Sequence, residues 1–240
     1  MSAYRSPRRL NALRLPNISL ILRGGGSYAQ YGQDLFVQIF FSRLPRKESY
    51  FFVDVGANDG ISFSNTLALE QSQIQHWQGI LIEADSQMFA KCVKNRPHTP
   101  AYNVALCNKD EMVHFMAIEG YAQMLSGIVE DYHPAHLERI EREIAQYGGS
   151  YKIFEMQGAR FCSIMSHSQH KHIDYLSIDV EGSEMQILQG IDFERYDITL
   201  IGIEDNYPTR SKIQSFLKQK GYVKVAKLGA DVFFAKTQNL

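Results

Sequence analysis

The sequence predicts an α/β fold built on a doubly wound, mostly parallel sheet of seven strands. From Gln30 onward, short apolar runs alternate with segments whose apolar residues recur at helical spacing. The apolar runs show no polar alternation, which is typical of strands that helices cover on both faces. Several of these runs end at acidic residues or glycines, at the sheet edge where ligands bind in open α/β folds.

The strands are predicted from buried apolar runs bounded by turn residues. In chain order they are YFFVDV (50–55), GILIEA (79–84), AYNVALC (101–107), IDYLSIDV (173–180), ITLIGIED (198–205), YVKVAKL (222–228) and DVFFAK (231–236). VHFMAI (113–118) is predicted as an additional strand. The last two runs are joined by the short turn Gly229-Ala230, which predicts an antiparallel hairpin at one edge of the sheet.

The helices are predicted from apolar residues at i, i+3 and i+4 and from capping residues. They are LFVQIFFSRL (35–44), SFSNTLALEQS (62–72), SQMFAKCVKN (86–95) with Ser86 as N-cap, HPAHLERIEREIAQYGG (133–149), SEMQILQG (183–190) and RSKIQSFLKQKG (210–221). The fourth is strongly charged and amphipathic, which is typical of an exposed helix. We expect it in a helical insertion around 119–160 that covers the ligand-binding edge of the sheet.

Composition and charge limit the classes of function. The chain has 240 residues and a net charge of -1, which suits one domain over 27–240 and gives no case for nucleic-acid binding. Three widely spaced cysteines predict neither a disulfide framework nor a zinc site, and they indicate a reducing, cytoplasmic location. No run is long and apolar enough to span a bilayer.

The first 26 residues differ from the rest of the chain. No acidic residue precedes Asp34, whereas five arginines lie there: Arg5, Arg8, Arg9, Arg14 and Arg23. The segment ends in a run of glycines, which indicates a linker. We interpret residues 1–26 as an arginine-rich tail, and weak contact with an anionic membrane surface is the sharper alternative to a loosely ordered end.

The turn after the first strand predicts a cofactor site. Gly56 and Gly60 permit a tight turn, and Asn58 tolerates left-handed geometry. The dinucleotide pattern GxGxxG is broken, which disfavours NAD. Asp54 at the strand end is expected to meet a cationic group, and Glu83 at the end of the next strand is placed to accept both hydroxyls of a ribose. A ribose with a positive charge and no phosphate describes S-adenosylmethionine.

These stretches resemble the FkbM-family methyltransferases. The resemblance is carried by FFVDVGANDGISFSNTLALE, GILIEAD, NRP, NVAL, HLERIEREI, IDYLSIDVEGSE and IEDN, in this order. It implies a class I S-adenosylmethionine-dependent fold with strand order 3-2-1-4-5-7-6, the last strand antiparallel. It also implies methyl transfer, typically to a hydroxyl oxygen of a sugar, glycan or secondary metabolite. Ala105, in NVAL, is expected among the cofactor-binding residues.

Acidic residues at the ends of the fourth and fifth strands are the candidate catalytic groups. The sulfonium methyl group is already activated, so the protein must align an acceptor oxygen and remove its proton. Asp179 and Glu181 are alternative general bases, and Glu204 lies at the next strand end. Asp179, Glu204 and Asn206 also form a set of oxygen ligands suited to Mg²⁺, similar to the layout of catechol O-methyltransferases.

The acceptor half of the sequence leaves alternatives open. Tyr121, Met124, Ser126 and His133 are expected to form the wall of the acceptor site. The favoured function is O-methylation of a small molecule or glycan. The alternatives are a cofactor-fold protein that binds without catalysis and, less favoured, an NAD-dependent oxidoreductase.

Overall fold

The computed structural model describes residues 26–206 and 212–239. The predicted arginine-rich tail therefore lies outside the described residues, apart from Gly26. The helices are α1 (Gln33–Ser42), α2 (Leu67–Glu70), α3 (Ser86–Asn95), α4 (Pro134–Tyr147), α5 (Phe161–Met165), α6 (Glu184–Gln189) and α7 (Ile213–Gln219). Within the described ranges, no helix combines the length and apolarity needed to cross a membrane.

The strands form two sheets. They are β1 (Tyr50–Val55), β2 (Trp77–Glu83), β3 (Ala101–Asn103), β4 (Ala105–Cys107), β5 (Met112–Gly120), β6 (Gly127–Ile128), β7 (Gly149–Arg160), β8 (His172–Ile178), β9 (Asp197–Glu204), β10 (Tyr222–Leu228) and β11 (Asp231–Lys236). The seven-stranded sheet has the order β3-β2-β1-β8-β9-β11-β10. Numbered within this sheet alone, that order is 3-2-1-4-5-7-6.

The predicted α/β fold class is confirmed by this sheet. β3, β2, β1, β8 and β9 are mutually parallel, and β11 runs antiparallel to both β9 and β10. The hairpin of the last two strands is therefore also confirmed. The direction in which successive strands are added to the sheet reverses between β1 and β8. β2 and β3 lie on one side of β1, and the later strands lie on the other. Such a switch point opens a crevice at the carboxyl ends of the strands.

Both faces of the central strands β1, β8 and β9 are buried, which explains their continuous apolar runs. Phe51, Val53 and Val55 face one core cluster, whereas Tyr50 and Phe52 face the other. The second cluster also holds Val37 and Phe41 of α1 and Trp77 of β2, with the Trp77 ring stacked on Tyr50 at a centroid distance of 4.8 Å. Every residue of β1 is buried, so neither face of this strand could be polar without a partner.

The smaller sheet, of order β4-β7-β5-β6, differs from the prediction. The predicted strand AYNVALC breaks at Val104, so that β3 pairs with β2 and β4 pairs with β7. β7 was not predicted, because residues 149–155 are exposed and have no continuous apolar run. The insertion around 119–160 is thus only partly helical, since β7 pairs with β5 from Met112 opposite Gln157 to Gly120 opposite Gly149.

The second predicted helix is much shorter than SFSNTLALEQS. Phe63 has a φ of 55°, which is left-handed geometry that a helix cannot include. The Ser64 hydroxyl accepts hydrogen bonds from the backbone N–H groups of Thr66 and Leu67. Such a local bond competes with helical pairing and moves the helix start to Leu67.

The prediction that Ser86 is the N-cap of the third helix is wrong. Asp85 occupies that position, with extended backbone geometry, and its carboxylate accepts from the N–H groups of Gln87 and Met88 at 2.8 and 3.0 Å. A carboxylate at this position accepts hydrogen bonds from two N–H groups that have no partner within the helix. Its negative charge also interacts favourably with the positive end of the helix dipole. Ser86 is the first helical residue.

A buried polar network joins β1 to the two following helices. Arg96 is 1% exposed and its guanidinium donates to the Thr66 hydroxyl at 2.9 Å and forms an ion pair with Glu70. The Thr66 hydroxyl donates in turn to Asp54 at 2.6 Å. Because a buried charge is costly without a partner, this chain of contacts fixes α2 and α3 relative to β1.

A second charged network closes the opposite, amino-terminal edge of the sheet. His172 contacts Asp174 through Nε2 and Asp197 through Nδ1, and Lys47 and Lys236 bind these same carboxylates. The hydrogen bond with Asp174 raises the pKa of His172. The folded state therefore binds the imidazole proton more tightly than the unfolded chain does.

This network predicts a pH-dependent stability. Since the folded pKa of His172 is raised, its contribution is fully present below the unfolded value near 6.5 and is lost as pH rises through the folded value. We expect His172→Gln to lower the urea midpoint more at pH 5.5 than at pH 8.5. Urea unfolding of both proteins at both pH values measures this difference, and the exposed His98→Gln is the control. Equal losses at both pH values would contradict the role of the charged imidazole.

Candidate functional site

The site lies in the crevice at the switch point, where β1 and β8 end. The N–H of Asp179 donates to the carbonyl of Val55 at 3.0 Å, so the two strands are still paired at their ends. Gly56 follows with a φ of +87°, and a Cβ atom there would lie 1.7 Å from the Asp179 carbonyl oxygen. Only glycine allows the chain to turn away from β8 at this point. Its turn forms one wall of a cavity bounded by the ends of β1, β2, β8 and β9.

Glu83 and Asn58 form the polar end of this cavity. Glu83 accepts hydrogen bonds from the backbone N–H groups of Asn58 and Asp85, both at 2.7 Å, which fixes its carboxylate. Burial raises the pKa of Glu83 to about 7. Asn58 has a left-handed φ of 50°, in agreement with the sequence analysis, and its Oδ1 is buried with no hydrogen-bond partner among the described residues. Both residues line the cavity and have acceptor capacity left for a ligand.

The remainder of the cavity wall is largely apolar. Ala105, predicted as a cofactor residue, lines it together with residues from β2, from the segment after β3 and from the smaller sheet: Ile82, Val104, Leu106, Phe115, Gly127 and Ile128. The smaller sheet therefore covers the crevice of the larger one. An apolar slot that ends in fixed acceptors can hold a flat ring joined to a hydroxylated group.

Two of the predicted cofactor residues do not line the cavity. Successive side chains on a strand point to opposite faces, so Asp54 faces away from the cluster that holds Val53 and Val55. Its carboxylate is buried against Thr66, and burial raises its pKa. Gly60 has a φ of +81°, and a Cβ there would touch Cys92 and Arg96 of the α3 region at 3.1 and 3.2 Å. Its small size thus serves packing.

Three predicted catalytic carboxylates meet at the far end of the cavity. One oxygen from each of Asp179, Glu181 and Glu204 lies within 4.8 Å of the other two. Burial, followed by the charges of neighbouring carboxylates, raises the pKa of Asp179 and of Glu204 well above the usual range. The pKa of Glu181 is raised to about 8, again mainly by burial. Oε2 of Glu181 and of Glu204 are buried and accept no hydrogen bond from any residue that the structure describes.

A second cavity lies on the other side of this carboxylate cluster. It shares Glu181 and Glu204 with the first cavity, so the two spaces adjoin there. Its described lining comes mainly from the loop before α4, from α4 itself and from the turns after β8 and β9, and includes Asp131, Tyr132, His133, His136, Gly182, Glu184, Asp205, Asn206 and Lys212. Glu181 has a left-handed φ of 58°, unusual for a glutamate, which places its side chain between the two cavities.

The predicted Mg²⁺ ligand set is not assembled in this arrangement. Asp179 and Glu204 lie together, but Asn206 is exposed and lines only the second cavity. The structure therefore does not support the predicted magnesium site.

The predicted acceptor wall is divided between the two cavities. Met124 and Ser126 line the first cavity and His133 lines the second. Tyr121 is 65% exposed and packs against the ring of Tyr147, so it borders neither cavity. The sequence analysis missed His136. Its signal was the spacing of Tyr132, His136 and Ile140, four residues apart on the buried side of the helix region.

The chain matches a known protein family by sequence. Residues 54–224 match the family model of the methyltransferase FkbM domain. No curated protein matches the chain by sequence.

Among solved structures, similar folds include the METTL16 MTase domain, at 8% identity and a TM-score of 0.46, over 84% of this chain and 64% of that one. A TehB-like S-adenosylmethionine-dependent methyltransferase from Corynebacterium glutamicum aligns at 9% identity and a TM-score of 0.42, over 91% of this chain and 92% of that one. A putative RNA methyltransferase from Pyrococcus horikoshii aligns at 12% identity and a TM-score of 0.41, over 86% and 82%.

The close approach at Gly56 predicts that adding a Cβ there lowers the free energy of unfolding by more than backbone strain alone would. We expect Gly56→Ala to cost more than about 3 kcal/mol of unfolding free energy, because its Cβ would collide with the Asp179 carbonyl. Gly148→Ala is the matched control, since Gly148 also has a positive φ of +78° but no atom within 4 Å of the added Cβ. Its expected cost is about 1–3 kcal/mol. Urea unfolding measures both, and equal losses would contradict the collision.

Proposed function

The chain belongs to the FkbM family of S-adenosylmethionine-dependent methyltransferases, and we propose that it transfers a methyl group to a hydroxyl oxygen of a sugar, a glycan or a secondary metabolite. The observation that carries the proposal is the pair of adjoining cavities, which share Glu181 and Glu204. The first cavity suits the cofactor and the second the acceptor. The reacting atoms would then meet at the carboxylates between them.

The charge of the first cavity supports this cofactor over a dinucleotide. Among the described residues that line it, none is a lysine or arginine, whereas Glu83, Asp85, Asp179, Glu181 and Glu204 are acidic. A pyrophosphate would lack a countercharge there, but a sulfonium with an ammonium group would be attracted. Glu83 would accept the ribose hydroxyls, and the apolar slot would hold the adenine ring. The bound cofactor supplies the activated methyl group.

The chain itself has two tasks in methyl transfer. It must hold the acceptor oxygen in line with the methyl group, and it must take the proton from that oxygen. Glu181 lines both cavities and Asp179 lines the first one beside it, which supports either carboxylate as the group that would receive this proton. The proposal keeps them as alternative general bases, with Glu204 as a neighbour whose own pKa is raised by burial and then by their charges.

The second cavity supports an uncharged or cationic acceptor. Five carboxylates line its described part, namely Asp131, Glu181, Glu184, Glu204 and Asp205, against one lysine, Lys212. An acceptor that carries a carboxylate or phosphate would be repelled. Hydroxyl groups of a sugar or of a polyhydroxylated metabolite would instead donate hydrogen bonds to these oxygens.

The cellular setting of the proposal is cytoplasmic. The three cysteines are free, and both Cys92 and Cys107 are buried, which is compatible with a reducing compartment. Contact of the arginine-rich tail with an anionic membrane stays a prediction.

The alternative of a binding module without catalysis differs from the proposal in one outcome, since such a protein would bind S-adenosylmethionine and transfer no methyl group.

Cofactor binding is the first prediction of this proposal. We expect S-adenosylmethionine to bind with micromolar affinity at pH 8, and Glu83→Gln to weaken binding by about 10- to 100-fold, since hydrogen bonds to a charged acceptor contribute about 1.5–3 kcal/mol. Calorimetric titration with S-adenosylmethionine, S-adenosylhomocysteine and NAD measures this.

Asp54→Asn is the matched control for this titration. Because Asp54 does not line the cavity, its substitution should lower the urea midpoint and leave the cofactor affinity of the folded protein nearly unchanged. Failure of the folded wild-type protein to bind either adenosyl compound would remove the proposed function. Tight binding of NAD alone would favour the oxidoreductase.

Methyl transfer is the second prediction. In a screen of sugars and hydroxylated metabolites with methyl-labelled S-adenosylmethionine, we expect labelled product from the wild-type protein. We expect the kcat of Glu181→Gln or of Asp179→Asn to fall by about 100-fold or more, the usual contribution of a general base. Calorimetry should show cofactor affinity nearly unchanged in the affected variant.

The control for this assay is the same reaction in EDTA. We expect transfer to persist, because Asn206, the third ligand of the predicted Mg²⁺ set, is exposed and does not line the first cavity with Asp179 and Glu204. Loss of transfer in EDTA that Mg²⁺ restores would contradict this assignment. Full activity of both variants would show that neither carboxylate is the base.

A further inference from the structure

A tight turn after β1 carries an aromatic side chain in a backbone conformation that disfavours it. Phe63 has a φ of 55° and is 51% exposed. The N–H of Ser64 donates to the carbonyl of Ile61 at 3.2 Å, so Phe63 is the third residue of this turn. Glycine or asparagine is preferred there when φ is positive. Because half of Phe63 stays in water, its burial offsets little of the backbone strain.

Two further apolar side chains are exposed beside this turn. Ile61 opens the turn and is 41% exposed, and Tyr31 is 54% exposed. A β-bridge between Ala29 and Phe63 brings the segment that contains Tyr31 to the turn. The Tyr31 ring also covers Gly229 of the β10–β11 hairpin, where a Cβ atom would lie 2.3 Å from the ring. We call Tyr31, Ile61 and Phe63 the apolar patch.

The arginine-rich tail joins the fold at the apolar patch. The buried carboxylate of Asp34 accepts a hydrogen bond from the Ser27 hydroxyl at 2.6 Å. It also accepts from the N–H groups of Tyr28 and Ala29 at 2.7 and 3.3 Å. These bonds fix the chain between the tail and the bridge to Phe63. Five arginines and no acidic residue precede this anchor, so a positive charge is tethered where apolar side chains are exposed.

We propose that the apolar patch and the arginine-rich tail together dock the protein on the surface of an anionic lipid bilayer. Phospholipid headgroups supply the negative charge that attracts the arginines, and the boundary between headgroups and acyl chains accepts exposed apolar side chains. Stable attachment to a membrane needs two such signals, because either alone is weak. Three partly exposed side chains offer far less than the about 800 Å² that each partner buries in a stable protein interface.

The turn also contains one acidic residue, Asp59. Its carboxylate accepts hydrogen bonds from the N–H groups of Ile61 and Ser62 at 2.9 and 2.7 Å, and the charge of Lys91 acts on it. Anionic headgroups repel this carboxylate, but the arginines of the tail outnumber it five to one. The local balance of charge therefore still favours an anionic surface.

Docking would set the first cavity beside the lipid surface. Gln30 immediately precedes Tyr31, and Asn58 lies three residues before Ile61, and both line this cavity. Docking on a bilayer needs neither cofactor nor acceptor, so it can be measured on the protein alone. It can fail while the proposed methyl transfer stands, and it can succeed in a protein that transfers no methyl group.

Vesicle sedimentation of the full chain tests the proposal. We expect binding to phosphatidylcholine vesicles that contain about one third phosphatidylserine, and binding at least about 10-fold weaker to pure phosphatidylcholine. High salt should weaken binding to the anionic vesicles, because it screens the headgroup charge. The double substitution Ile61→Asn and Phe63→Asn should weaken it by about 10-fold or more, since two apolar side chains no longer insert.

Ile74→Asn is the matched control. Ile74 is 40% exposed, nearly as much as Ile61, but it precedes β2, whereas Ile61 follows the parallel strand β1. It therefore belongs to the opposite edge of the sheet, and its substitution should leave vesicle binding unchanged. Asparagine tolerates the φ of Phe63, so the urea midpoint of the double variant should stay close to that of the wild type.

Replacement of the five tail arginines by glutamine tests the charge separately, since these residues lie outside the described fold. We expect it to abolish the preference for phosphatidylserine. Three results would overturn the proposal: no binding of the wild type to anionic vesicles, full binding by the double or the glutamine variant, or an equal loss in Ile74→Asn. A dimer in the absence of vesicles that the double substitution dissociates would instead assign the patch to contact between copies, and would also overturn it.

Discussion

The close approach of two strand ends is the constraint on which the site depends. β1 and β8 remain paired up to the bond between Val55 and Asp179, and at the next residue the chain must leave the sheet past the Asp179 carbonyl. A glycine is the only residue that permits this turn. Because the turn sits at the switch point, it aims the acidic ends of β2 and β8 into one crevice. The proposed positions for the cofactor and for proton transfer thus depend on one backbone contact.

The site concentrates acidic groups that the described part of the fold leaves incompletely paired. The ends of β8 and β9 bring Asp179, Glu181 and Glu204 together, and burial raises their pKa values. Two of their oxygens have no hydrogen-bond partner among the described residues. An arrangement of this kind lowers stability, and the ion pair of Arg96 with Glu70 shows how the same chain pairs buried charge elsewhere. The unpaired acids are concentrated where a cationic cofactor and a releasable proton would be received.

Much of this arrangement could be predicted from the sequence, because apolar runs and the residues after them report directly on buried parallel strands. β1, β2, β8 and β9 and the cavity positions of Glu83, Asp179 and Glu204 follow from that pattern. The face of β1 on which the Asp54 side chain lies could not be predicted, since the sequence does not say which face of a buried strand meets the ligand. β7 and His136 were missed because the exposed strand and the buried imidazole depend on long-range packing of the insertion.

The aromatic packing on the other face of the sheet has an optical consequence. Trp77 is the chain's single tryptophan, and it is 4% exposed between the rings of Tyr50 and Phe41. It belongs to the core cluster opposite the one that holds Val53 and Val55 beneath the crevice. Intrinsic fluorescence of this protein is therefore a reporter of whether helix α1 is seated on the sheet. Trp77 lines neither cavity, so occupancy of the site is better followed with a separate probe.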